Sequence, residues 1–92
     1  MLKGSVRNWL IAETPELDFW NVRLQLYRCP SCSTFWLWCS HSHGHQDWDQ
    51  RFSKIVGRAE FDSIVVEEGR LKETRLADLK LTYEKNGWQW KW

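Results

Sequence analysis

The chain is poor in proline, glycine and methionine: its 92 residues hold two, five and one of them. The prolines are Pro15 and Pro30, and no proline, glycine or serine tract separates one part of the chain from another. A linker, a low-complexity segment or a repeat array is therefore not expected, and residues 1–92 read as a single domain. Such a length excludes a TIM barrel or a kinase. No apolar run approaches the ~20 residues needed to cross a bilayer as a helix, so no membrane partner is expected. Charge of one sign is also missing, with 13 Lys+Arg against 12 Asp+Glu and a net charge of +1. Phosphate binding draws on clustered basic residues and counterion release, so this balance makes nucleic acid an unlikely partner. There is no glycine-rich phosphate loop and no serine nucleophile elbow. Near the start, Lys3 and Arg7 precede an apolar stretch, Trp9 to Ala12, too short for a secretory core and followed by no small-residue cleavage site. The expectation is a cytoplasmic protein whose three cysteines stay as thiols or metal ligands.

What the chain has in abundance is tryptophan, eight residues, in a composition 42% apolar and 15% aromatic. That is enough for a packed core and is not the composition of a disordered chain. Val22, Leu24 and Leu26 alternate with Arg23, Gln25 and Tyr27, the period of a half-buried strand. Cys29-Pro30-Ser31-Cys32 is a tight turn, and Phe35-Trp36-Leu37-Trp38 is β-prone. Residues 22–39 thus read as a Cys-x-x-Cys hairpin. Thr14-Pro15-Glu16 reads as a helix start or a plain turn, with any helix running from Pro15 to Trp20. Phe52, Ile55, Val56 and Ala59 recur at helical spacing after Asp49, and Phe61 to Glu67, with its Ile64-Val65-Val66 run, reads as a strand. Asn86-Gly87 is a preferred two-residue hairpin turn. It sets Tyr83 opposite Trp90 and Leu81 opposite Trp92, and predicts a C-terminal β-hairpin over 78–92. The sum is an α+β fold: a small antiparallel β-sheet of four to six strands with one or two short helices.

All the cysteines and all the histidines fall between Cys29 and His45: Cys29, Cys32, Cys39, His41, His43 and His45. Zinc takes four Cys or His ligands in a tetrahedron, so these six residues are the candidate metal ligands and zinc the candidate cofactor. Cys39 with one histidine could complete Cys29 and Cys32. A straight strand from Phe35 to Cys39 would instead carry Cys39 ~23 Å from Cys32. The ligands would then be Cys29, Cys32 and two loop histidines, with Cys39 packed as a small hydrophobe, or a site shared between copies. The same window also fits a metal-free turn followed by a solvated loop. Residues 26–35, Leu-Tyr-Arg-Cys-Pro-Ser-Cys-Ser-Thr-Phe, resemble the first hairpin of a zinc ribbon or zinc knuckle. That resemblance implies structural zinc, but the second Cys-x-x-Cys of a ribbon is absent.

Cys-Pro-Ser-Cys is also similar to the glutaredoxin active-site pattern, though the helix and the later cis proline of that family have no counterpart here. His41-Ser42-His43-Gly44-His45 looks like a histidine-triad signature but lacks its apolar spacers. A non-enzymatic chain is expected. Its tryptophans exceed the needs of a small core, and since Trp and Tyr anchor protein interfaces, Trp36, Trp38 and Trp48 are the candidate partner-binding residues. The expected function is a small protein-binding module, steadied by zinc. One form of it is a bacterial inhibitor, since Trp20 to Trp38 is vaguely similar to some immunity proteins. The alternatives are a zinc-knuckle nucleic-acid-binding or regulatory protein and a thiol oxidoreductase using Cys29 and Cys32.

Overall fold

A computed structural model describes residues 9–42 and 48–90. It contains strands β1 (Ile11–Ala12), β2 (Leu17–Phe19), β3 (Val22–Arg28), β4 (Phe35–Ser42) and β5 (Trp48–Ile55), then helices α1 (Arg58–Leu71) and α2 (Leu76–Lys85). The strands form one antiparallel sheet in the order β1-β3-β4-β5, with β2 sharing the β1 edge of β3. This is the expected α+β fold. Among the described residues no helix is long and apolar enough to cross a membrane.

Alternation along β3 sends Val22, Leu24 and Leu26 to the helix side of the sheet, where they join Leu17, Phe19, Ile55, Phe61, Val65, Leu79 and Tyr83 in the buried core. Register carries this face across to Cys39 and Leu37 on β4, both packed against the core. The opposite face is a second, thinner layer built on Tyr27, Trp36, Trp38 and Phe52. It is stitched by polar contacts: Tyr27 donates to Gln25 Oε1 at 2.7 Å, Gln25 Nε2 to the Thr14 carbonyl at 2.8 Å, and Trp38 Nε1 to Gln50 Oε1 at 3.1 Å. Tyr27 and Phe52 ring centroids lie 6.2 Å apart.

The hairpin expected over 22–39 is present, with β4 running on to Ser42. Four other expectations are corrected. Residues 17–19 are β2 rather than helix. Thr14 does not cap a helix. Its hydroxyl accepts from the Leu26 N–H at 3.1 Å and fills a gap in the ladder between β1 and β2. Residues 48–55 are β5, because the whole segment pairs with β4. Such pairing outweighs an apolar spacing that fits a helix equally well. Residues 61–67 lie in α1 rather than a strand, since the buried positions Phe61, Asp62, Val65 and Gly69 recur at helical spacing.

The C-terminal β-hairpin over 78–92 is also corrected. Leu79 and Tyr83 are buried one helical turn apart, while Leu81, their expected strand companion, is 64% exposed. Asn86 and Gly87 end the helix. The Gly87 N–H donates to the Glu84 carbonyl at 3.0 Å and the Trp88 N–H to the Tyr83 carbonyl at 2.8 Å, with Gly87 at φ 79°. This is a Schellman cap. A type I′ turn needs positive φ at both central residues, and Asn86 has φ −94°. Trp88 and Trp90 then fold onto the core; Trp92 lies outside the described residues.

Candidate functional site

The four candidate metal ligands among the described residues, Cys29, Cys32, Cys39 and His41, do not gather at one place. Cys29 and Cys32 sit at the tip joining β3 to β4. The Cys29 N–H donates to the Thr34 carbonyl and the Ser33 N–H to the Cys29 carbonyl, both at 2.8 Å. Ser33 takes a left-handed conformation, φ 61°, to close this turn. Cys39 and His41 lie farther along β4 on the helix side, with Cys39 Sγ 3.7 Å from His41 Nδ1. About 13 Å of strand separates Phe35 from Cys39. Thiolates bound to one zinc sit ~2.3 Å from the ion, so Cys39 cannot join Cys29 and Cys32 on a metal within one chain. His43 and His45 lie outside the described residues. Among the described residues no three His, Cys, Asp or Glu side chains converge on a point that would hold a metal ion.

The three thiols are free and their environments differ. Cys32 is exposed, and its sulfur lies 3.0 Å from Thr34 Oγ1. Hydrogen bonds from the Thr34 hydroxyl, the Thr34 main chain and the Cys29 thiol hold Cys32 below the ordinary thiol range. Cys39 is half-buried, and burial together with the Glu68 carboxylate pushes it up, against the opposing pull of Arg51.

The candidate partner-binding tryptophans fare unequally. Trp38 is corrected: at 2% exposure it is buried, and its ring N–H is committed to Gln50. Trp36 is half-buried. Trp48 is also half-buried and lies under the Arg23 guanidinium, 4.1 Å from the ring centroid, a cation–π contact.

The side chain that stands out is Trp20. It occupies the two-residue connection between β2 and β3, closed by the Phe19–Val22 pair. Its backbone lies at φ 63° and the residue is 82% exposed. Positive φ in a bulky residue is an outlier and costs roughly 1–2 kcal/mol. A shallow groove of about 330 Å³ runs beside it, lined by Trp20, Asn21, Leu71, Lys72 and Glu73. Leu71 is 68% exposed. Lys72 Nζ donates to Asn21 Oδ1 at 2.9 Å and ties the end of α1 to the turn. The far wall is strained as well. Glu73, at φ 58°, is the left-handed residue of a second Schellman cap, in which the Thr74 N–H donates to the Gly69 carbonyl at 2.7 Å and the Glu73 N–H to the Arg70 carbonyl at 3.2 Å. Sequence reasoning missed this site. Its signal was a tryptophan beside Asn21 in a very short connection, where glycine or asparagine is usual.

No protein-family model, no curated protein and no solved structure matches this chain.

Proposed function

We propose that this chain is a small protein-binding module that holds another protein through the groove between the Trp20 turn and the end of α1. The observation that carries this reading is Trp20 itself, an almost fully exposed indole kept in a conformation that favours glycine. Strain of this kind persists where the surrounding structure enforces it, and it gathers at binding sites. Tryptophan is the residue type most enriched among interface hot spots. Leu71 adds apolar surface, and Lys72 and Glu73 offer charge of both signs at the rim, the arrangement of an apolar centre with a polar border. An inhibitor that blocks its target by occupancy, as immunity proteins do, is the form of the reading that needs no chemistry from this chain. We place it in the cytoplasm, where its three free thiols stay reduced.

The test compares the chain with its Trp20→Gly variant. Glycine relieves the left-handed strain and removes the indole, so the variant should fold with unchanged or slightly raised stability. A partner retained by the parent chain should bind the variant with a loss of about 2 kcal/mol, roughly thirtyfold in Kd. Amide shifts on complex formation should centre on residues 20–21 and 71–73. A partner whose affinity is indifferent to both Trp20→Gly and Leu71→Ser would overturn the reading.

A further inference from the structure

The groove makes no use of the hairpin tip, where two free thiols share one turn. Cys29 and Cys32 lie three residues apart in one tight turn, closed where the Ser33 N–H donates to the Cys29 carbonyl and the Cys29 N–H to the Thr34 carbonyl. The turn that brings them together is fixed by two main-chain hydrogen bonds at 2.8 Å and by the left-handed Ser33. Their exposures are unequal, Cys32 open to solvent and Cys29 half-covered. Thr34 Oγ1, 3.0 Å from the Cys32 sulfur, can donate its hydroxyl proton to a thiolate there. An open, hydrogen-bonded thiol with a second thiol behind it has the layout of an attacking and a resolving cysteine. Cys39 shares none of this. It is half-buried against the core, and its sulfur faces His41 on β4.

We propose that Cys29 and Cys32 are a reversible thiol-modification site that exchanges with small disulfides of the oxidised-glutathione class, Cys32 attacking and Cys29 resolving. The Cys32 thiolate attacks one sulfur of the small disulfide. A Cys32–S–S bond forms, the original S–S bond breaks, and one small thiolate leaves and takes up a proton. The Cys29 thiol, its proton lost to solvent, then attacks the Cys32 sulfur. The intramolecular disulfide forms, and the second small thiolate leaves and is protonated. The two cysteines together lose two electrons and two protons, and one small disulfide becomes two thiols.

The experiment treats the reduced chain with oxidised glutathione, quenches with an alkylating agent and maps the products by mass spectrometry. The parent chain should emerge two hydrogens lighter, with only Cys39 alkylated. Cys29→Ser should accumulate a single glutathione adduct on Cys32, and Cys32→Ser should form no disulfide within the tip. In the unmodified parent, where folding is not in question, Cys32 should alkylate at least about tenfold faster than Cys39 near neutral pH. The proposal is overturned by a parent chain that stays fully reduced, by a disulfide or adduct on Cys39, by a Cys29→Ser variant whose adduct lies elsewhere, or by Cys39 alkylating as fast as Cys32.

Discussion

Tyr83 and Trp90 meet edge to face, their ring centroids 4.9 Å apart at 80°. The pair closes the core beneath α2. The Arg58 guanidinium lies 5.4 Å from the Tyr83 ring centroid and donates to the buried Asp62 carboxylate at 2.9 Å. The Tyr83 hydroxyl is buried and has no partner at hydrogen-bond geometry among the described residues. Burial pushes it up to about 12, with Arg58 pulling the other way and Asp62 adding to the rise. Between about pH 10 and pH 12 the unfolded chain loses this proton while the folded chain keeps it. Stability contributed below pH 10 is therefore lost as pH rises through that window, by up to about 1.4 kcal/mol per pH unit. Urea unfolding midpoints should fall across it, and Tyr83→Phe should flatten the fall. At pH 7 the same substitution should be neutral or stabilising, because it removes a buried polar group that has no hydrogen-bond partner among the described residues. A loss above about 1 kcal/mol at pH 7 would show that the hydroxyl is satisfied after all.

The hairpin of β3 and β4 was legible because two independent signals agreed: alternation from Val22 to Tyr27 and a turn at Cys29 to Cys32. The second half misled because its signals were degenerate. Leu79, Leu81 and Tyr83 fit a strand, but Leu79 and Tyr83 alone fit one helical face. Asn86-Gly87 serves a helix cap as well as a hairpin. Which reading wins depends on what packs against the segment, and a single sequence does not carry that. The interchange of strand and helix between Asp49 and Glu67 has the same cause, since β5 exists through its pairing with β4. The cysteine and histidine window was legible as composition. Its division along β4 followed from strand length, a possibility the ~23 Å estimate already contained. The Trp20 groove was out of reach because it joins residues some fifty positions apart and rests on backbone angles.

Glu73 invites a substitution opposite in kind to those that damage a core. It holds φ 58° at the end of α1, where glycine carries no Cβ penalty. Glu73→Gly should raise stability by up to about 1 kcal/mol, a net of left-handed strain relieved and unfolded-state entropy gained. The shift in urea midpoint at constant slope measures it. A clear loss would mean that the carboxylate makes a contact worth more than the strain.

Thr14 is fully buried, and its hydroxyl stands in for a missing strand partner of Leu26. Thr14→Val keeps the shape and deletes the acceptor, leaving the Leu26 N–H buried and unsatisfied. The expected loss is about 1–3 kcal/mol, with Thr14→Ser losing less. Hydrogen exchange at the Leu26 amide provides the site-specific reading, and its protection should drop in the valine variant. Unchanged protection there would mean that another acceptor serves this amide.

Metal dependence tests where the fold draws its stability. The buried core is apolar and runs from Leu17 and Phe19 through Leu26 to Val65 and Tyr83. Cys29 and Cys32 lie outside it, at a hairpin tip. A domain built around structural zinc unfolds when the ion is removed, whereas one held by apolar burial does not. Thermal unfolding of this chain should therefore give the same Tm with and without a strong chelator, whether or not elemental analysis finds zinc in the purified protein. Cys32→Ser should leave Tm unchanged as well. A chelator-induced fall of ten degrees or so corresponds to about 1–3 kcal/mol in a domain of this size. Such a fall, abolished by Cys32→Ser, would place a zinc ion at the tip and make it part of the fold.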